Sequence, residues 1–350
     1  MKPHAILAPA RVAVATLTVA AAAIFATHPG QAQDAAAYYK GKTVKIVVGY
    51  GPGGGYDAYA RMIEPHLAQA MGATVIVENQ PGAGGTTALN RVFMAPPDGL
   101  NLMIVNGTAA ALGQLLEQDG VRYDLAKIEH LGIVSSSPWM WLVGPTNPIA
   151  KTPAEAMQLG KVIRWGGTAP TDGLSDGAAV ACEALNLQCK IVIGYKGSAE
   201  VALAVQRGEM DAQYVSDTSA NNYVKSGQAL AVAAMGRNKS RFFPDVPTIF
   251  EAVKLTPEQQ WWFDFRTDLD DLGRILVTTP GVPADRLAFL RAAVKKVLTD
   301  PAVKAIGEKS QRYVDFVEPE KAREKAIALV GSITPDQKVN VKHVILEKYR

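Results

Sequence analysis

Gly49, Gly51 and Gly54 stand in VKIVVGYGPGGGYDAYAR, Val44 to Arg61, as G-x-G-x-x-G. That spacing makes a tight turn and lets main-chain amides come close to an anionic group. Three chemistries compete for it. The first is dinucleotide binding, since the glycines follow a β-branched run, open a helical pattern, and are followed by Glu78 where a ribose-binding acid would stand. Against it, Pro52 occupies the loop and Gly55 lengthens the run, and without a following G-K-[ST] a nucleoside triphosphate loop is excluded. The second is hydrolysis, because Gly173-Leu174-Ser175-Asp176-Gly177 satisfies G-x-S-x-G. A nucleophile elbow turns sharply from strand to helix, whereas GGTAPTD separates Trp165 from this motif. A base is scarce as well: His66, His130 and His343 are the histidines outside the first 32 residues, and His343 alone follows Ser175. Ser175 reads better as a helix N-cap. No pair of histidines or cysteines shows metal-ligand spacing, so no metal is expected.

The third chemistry takes the glycine loops together. Asn79-Gln80-Pro81-Gly82-Ala83-Gly84-Gly85 also follows a strand pattern and precedes a helical one. Two such units in parallel put both loops at the carboxyl edge of one sheet, where α/β folds bind ligands. Helix starts there offer free N–H groups, so the expected site grips a carboxylate with neutral donors. The alternative is that the glycines serve only turns.

The elements that must hold these loops are readable from Lys42 onward. VKIVVGY, a helix with Ala60, Ile63, Leu67 and Ala70 at helical spacing, ATVIVEN, TTALNRVFMA, the turn PPDG and LNLMIVN give β-α-β-α-β, a largely parallel sheet. Pro65 should kink or loosen the first helix. A second α/β series begins at WMWLV and the capping box Thr152-Pro153-Ala154-Glu155. It continues through KVIRWGG, DGAAVACEAL, KIVIGY, SAEVALAVQRG, MDAQYVSD and ALAVAAM. A helix from Thr256-Pro257-Glu258, a strand GRILVTTP and a mostly helical tail from Pro283 close the chain. The α/β architecture expected is two lobes: residues 34–138 plus 241–350, and residues 139–240, joined by two crossing segments, with the tail packing back on the first lobe.

Residues 1–32 read as a signal peptide. Lys2 and Arg11 precede the uncharged run Val12 to Thr27, and Gly30 and Ala32 form a small-x-small site, so cleavage is expected after Ala32. The run falls short of the roughly 20 apolar residues of a spanning helix. Its removal takes two of 36 basic residues and none of 33 acidic ones, leaving a nearly neutral protein with no support for nucleic acid binding. Cys182 and Cys189, the only cysteines, lie close together in an exported chain and are either a disulfide or two buried thiols.

GYGPGGGYDAYAR, VENQPGAGG, the PPDG turn before LNLMIVN, GYKGSAEV and DVPTIFEA resemble, in that order, signature segments of the Bug or TctC-type receptors. These are periplasmic solute-binding proteins of tripartite tricarboxylate transporters. The resemblance runs from about Tyr38 to the final helices. It implies a two-lobed type II periplasmic-binding-protein fold, a Venus flytrap that closes on a carboxylate without cofactor or enzymatic step. It further implies a monomer that serves membrane permease subunits or a sensor kinase. The competing class is a secreted enzyme, hydrolase-like or dinucleotide-dependent, using the same cleft.

By the same resemblance, Tyr50, Gly51, Pro52, Gly53 and Gly54 of the first loop and Ala83, Gly84 and Gly85 of the second supply donors to one carboxylate, with Asn106 beside them. Asp57 matches a recurrent family aspartate; its alternative role is to complement the helix dipole. From the other lobe come Thr168, Thr171 and Ser175 in a polar loop, and Tyr195 and Ser198 about a third strand-to-helix turn, where Ser198 is alternatively an N-cap. Ser216 and Asp217 either face the hinge or terminate a strand. Trp139, Trp141 and Trp165 lie near the lobe junction, as pocket walls or as core. Two departures bear on the ligand: many relatives carry proline and phenylalanine where this chain has Gly49, Tyr50 and Gly51, and TAPTDGLSDG replaces a compact GSxG.

Overall fold

A computed structural model describes residues 35–350, so the leader and its cleavage point lie outside the described residues. The first series folds as β1 (Thr43–Val48), α1 (Gly55–Met71), β2 (Thr74–Asn79), α2 (Thr86–Phe93), β3 (Asn101–Asn106), α3 (Gly107–Leu115) and β4 (Glu129–Ser135). The second folds as β5 (Trp139–Val143), α4 (Pro153–Gln158), β6 (Ile163–Gly166), α5 (Gly173–Ala184), β7 (Cys189–Val192), α6 (Ser198–Gln206), β8 (Ala212–Ser216), α7 (Asp217–Lys225) and β9 (Leu230–Ala234). Then come α8 (Ile249–Ala252), α9 (Pro257–Asp270), β10 (Arg274–Thr278), α10 (Ala284–Thr299), α11 (Pro301–Lys309), α12 (Pro319–Val330) and α13 (Pro335–His343).

Two five-stranded sheets result, ordered β2-β1-β3-β10-β4 and β7-β6-β8-β5-β9. The strands of the opening β-α-β-α-β unit are parallel, as expected, but each complete sheet is mixed. β1 is parallel to β2 and β3, but β10 runs antiparallel between β3 and β4; β6 is parallel to β7 and β8, but β5 runs antiparallel between β8 and β9. The reason is connectivity. A strand reached by crossing from the other lobe enters its sheet from the cleft side, against strands that run toward the cleft. The first residue of β10, Arg274, is therefore delivered to the cleft, opposite Asn106 and Ser135 at the ends of β3 and β4.

Alternation along the strands buries both faces of the first sheet, as the pleat requires. Val44, Ile46, Val48, Leu102 and Ile104 pack with Ile63 and Leu67 of α1 and Val294 of α10, while Val47, Met103, Val105 and Val277 pack with Leu89 and Leu112 of α2 and α3. Helix α1 continues past Pro65, which lies on its exposed face, and stops at Gly72 in the left-handed region (φ 61°).

The lobe boundaries differ from the expected ones. Residues past 240 still belong to the second sheet: Ala234 N–H donates to Pro247 O at 2.9 Å, and Thr248, which caps α8 in a reciprocal box, bridges to Ala234. α9 lies between the lobes, its Arg266 against Asp176 of α5 and its Leu269 carbonyl accepting from Thr108 of α3. The tail packs on the first sheet only as far as α12; its last residues end on the second, where Ile191 N–H donates to Tyr349 O at 2.7 Å. β7 is an edge strand with unpaired main-chain groups, and the terminus covers them. The chain thus crosses three times, not two. Cys182 and Cys189 are bridged, Cα atoms 6.2 Å apart, tying α5 to β7.

Candidate functional site

Because β1 and β2 are parallel neighbours, the two glycine loops meet. A Cβ on Gly49 would lie 2.6 Å from Gly85 Cα, so only glycine permits that approach, and Gly84 and Gly85 take left-handed conformations (φ +64° and +95°). Tyr50 fills the space between the loops. Its hydroxyl donates to Gly84 O at 2.8 Å and accepts from Asn106 Nδ2 at 3.1 Å, and its ring stacks on Tyr56 at 4.8 Å. Burial holds this phenol well above its ordinary pKa, so it keeps its proton. Gly84, Gly85 and Asn106 consequently face an inner, mostly apolar cavity behind Tyr50. Ala83 is exposed.

Two amides of the first loop are already occupied. Gly51 N–H donates across the lobes to Lys196 O at 2.8 Å, and Gly53 N–H donates to Asp57 Oδ2 at 3.0 Å. Pro52 and Gly53 form the exposed tip. Asp57 turns away from the cleft to hold this loop and to accept from Arg61 Nε at 2.9 Å. Burial opposes its charge, but the bonds from Arg61 and Gly53 outweigh burial and keep the carboxyl below its usual range.

What remains of the first loop opens on a small cavity between the sheets. One wall is the start of α1, Gly54, Gly55 and Tyr56, whose first-turn amides have no intrahelical acceptor. The opposite wall is apolar: Trp139, Leu174 and Val215. Ser198, Ser216 and Ser219 supply hydroxyls, and Arg274 is the one charged side chain in the lining. The neutral-donor site expected from the sequence therefore needs correction: a guanidinium only 4% exposed sits in this cleft.

Arg274 reaches across the lobes. Nη1 donates to Ser135 Oγ at 3.2 Å and Ser137 Oγ at 3.4 Å; Nη2 donates to Ser216 Oγ at 2.9 Å and Thr218 Oγ1 at 3.4 Å. Its Cζ lies 4.5 Å from the Tyr59 ring centroid and 5.3 Å from that of Tyr56. Among the described residues its Nε finds no hydrogen-bond acceptor, and no carboxylate lies within 4.0 Å of it. A charge this buried, partnered by hydroxyls alone, favours an incoming anion.

Of the second-lobe expectations, Ser198 and Ser216 line the cavity. Ser198 is not an N-cap: Gly197 holds that position, and Ser198 Oγ bonds Tyr223 Oη at 2.9 Å. Thr168 and Thr171 instead sit where the lobes touch. Thr168 bonds Asp172, Thr171 bonds Gln118, and a Cβ on Gly84 would come within 3.0 Å of Ala169 and 3.1 Å of Asp172 Cβ. Ser175 neither caps nor lines. Asp172 is the N-cap of α5, and Ser175 is buried against Gly167. Tyr195 is half-buried outside the cavity, its amide bonded to Gly167 O. Asp217 belongs to the hinge: its amide donates to Pro138 O at 2.8 Å and its Oδ2 accepts from Ser240 at 2.9 Å. Burial pushes its carboxyl up to about 6, against the Ser240 bond and the Arg274 charge. Trp139 is a pocket wall, whereas Trp141 and Trp165 pack on each other in the core.

The enzyme readings find no machinery among the described residues. Ser175 Oγ has no hydrogen-bond partner, His130 is buried against Leu125 O, and His343 pairs with Glu347. Lys196 O closes over the first glycine loop where a pyrophosphate would lie, and Glu78 is paired with Lys45 at 2.9 Å.

Residues 59–330 match the family described as tripartite tricarboxylate transporter family receptor, a match that begins just past the divergent first loop. The chain is 27% identical over 242 residues to the protein BugT of Bordetella pertussis, covering 67% of this chain and 74% of that protein. Its fold is similar to that of the periplasmic binding protein BugD, with TM-score 0.72, 21% identity, and 87% and 98% of the two chains covered. It is similar also to MatC from Rhodopseudomonas palustris with bound malate, with TM-score 0.69, 22% identity, and 87% and 99% covered.

Proposed function

The chain belongs to the tripartite tricarboxylate transporter receptor family, and from that premise we propose that it is a periplasmic receptor which captures a small organic acid by lobe closure and offers the closed form to membrane permease subunits. The family is one of receptors, not enzymes. One observation carries the reading: a buried guanidinium and a helix start converge on a single cavity walled by both lobes. Malate in the related MatC supports a carboxylate as the class of solute. The cross-lobe bonds Gly51–Lys196 and Arg274–Ser216 exist only while the lobes are together, so a ligand that strengthens that arrangement shifts the population toward it. A micromolar dissociation constant needs about 8 kcal/mol, within reach of several charge-assisted hydrogen bonds.

The test is thermal unfolding of the mature protein against mono-, di- and tricarboxylates with product analysis. At least one acid should raise the melting temperature as RT ln(1 + [L]/Kd) requires, without turnover. Stabilisation by nucleotides alone, or the appearance of product, would refute the receptor reading. Export is tested separately, by an amino terminus at Gln33 on protein recovered from the periplasm.

A further inference from the structure

Resting on the receptor reading, we propose that this cleft selects a monoanion: one carboxylate seated on Arg274, the rest of the ligand uncharged and largely apolar, with Arg274 also acting as the latch that links capture to closure. Four observations carry it. The guanidinium is buried, its partners are hydroxyls, and its Nε has no acceptor among the described residues. That free Nε, with Nη2 beside it, is a side-on donor pair that matches the two oxygens of a carboxylate, and it leaves the Nη1 bonds in place. A Cβ added to Gly55 would stand 3.1 Å from Arg274 Nη2, so the positive end of the 17-residue α1 and the guanidinium bear on the same point.

The second observation is the absence of another cation from the cavity lining, Arg312 acting on Arg274 only from outside it. No other lining residue is charged, and the wall facing α1 is Trp139, Leu174 and Val215. A second ligand carboxylate would lose its water against that wall with nothing to replace it. The third is Asp217, a carboxylate that stands in the chain between Ser216 and Thr218, the second-lobe partners of Arg274, and is held there by Ser240. That charge offsets part of the guanidinium's and repels a second ligand carboxylate. The fourth is topological. Arg274 belongs to the first sheet, while Ser216 and Thr218 belong to the second lobe, so the side chain that receives the acid is also the one that holds the lobes together.

Calorimetry on the mature protein with straight-chain monocarboxylates of two to eight carbons, the dicarboxylates of equal length and the matching primary amides decides the matter. The best monocarboxylate should bind at least 100-fold more tightly than its dicarboxylate and its amide. Arg274→Met should lose that 100-fold for the acid and leave the amide unchanged, with Arg274→Lys intermediate. Equal or tighter binding of the dicarboxylate by wild type, or an unaltered Kd for the monocarboxylate in Arg274→Met, would overturn the proposal while leaving the receptor reading intact. Failure of every acid to bind would overturn both. If Arg274→Met does not fold by circular dichroism, the wild-type comparison of acid, diacid and amide still decides.

Discussion

Gly84→Ala separates the cost of a strained loop from the cost of closing the lobes. Gly84 sits at φ +64°, where an L-residue other than glycine is disfavoured by about 1–2 kcal/mol. That penalty is paid whether the lobes are open or closed, so it lowers folding stability and not affinity. The new methyl also meets the second lobe, 3.0 Å from Ala169 Cβ and 3.1 Å from Asp172 Cβ, and these contacts exist only in the closed arrangement. Overpacking of this kind costs about 1–3 kcal/mol. Applied to the closed form alone, it raises Kd about 5- to 150-fold at 1.4 kcal/mol per decade. Titration of the variant with the tightest acid of the wild-type panel, alongside small-angle scattering, should show weaker binding and a larger radius of gyration. Ala169→Gly removes the nearest atom, so the double variant should recover part of the affinity and none of the stability. An unchanged Kd in Gly84→Ala would mean that ligand capture does not require these loops to meet, and the closure mechanism would fall.

Reducing or replacing the Cys182–Cys189 bridge, which spans seven positions, should cost about 2–3 kcal/mol by chain entropy and leave Kd unchanged, because the bridge ties α5 to β7 away from the cavity; denaturation with and without dithiothreitol measures it. Asp217, its carboxyl pushed up to about 6 chiefly by burial, binds more protons folded than unfolded between its ordinary value near 4 and 6. Its contribution is therefore full below about pH 4 and lost as pH rises through 6, and Asp217→Asn should flatten the stability profile in that window; a slope identical to wild type there would refute it. Arg266→Met leaves Asp176 and Asp270 buried without their cation and should cost about 3–5 kcal/mol, most of it recovered by adding Asp176→Asn and Asp270→Asn, as urea midpoints would show.

Most of the secondary structure is legible from patterns that act locally. Val/Ile runs mark the strands, and threonines at 152, 248 and 256 accept the N-terminal amides of the helices they precede. The Thr152 box is only half formed, since Glu155 reaches Lys151 N rather than the cap itself. α3 escapes such reading because all but one of its positions are buried, so it has no polar face and no 3.6-residue period. The third crossing escapes as well. Nothing in residues 344–350 announces that they will cover β7, because an edge strand exists only once a sheet order is set.

The site follows the same division between local and assembled information. Paired glycine loops on parallel strands declare themselves, and the structure brings them together. Arg274 does not, since one arginine ahead of an apolar strand reads as a solvated end; only the reversal imposed by crossing turns that end into the floor of the cleft. Tyr50 supplies the physical link between the two. Its hydroxyl takes the Asn106 Nδ2 donor and bonds Gly84 O, while Lys196 O takes the Gly51 amide. With those neutral groups engaged, an acid has the start of α1 left to it, and the start of α1 is where Arg274 stands. In the proposed binding mode the tyrosine and the arginine act together: one fills the gap between the glycine loops and holds Asn106, the other receives the carboxylate as a charge.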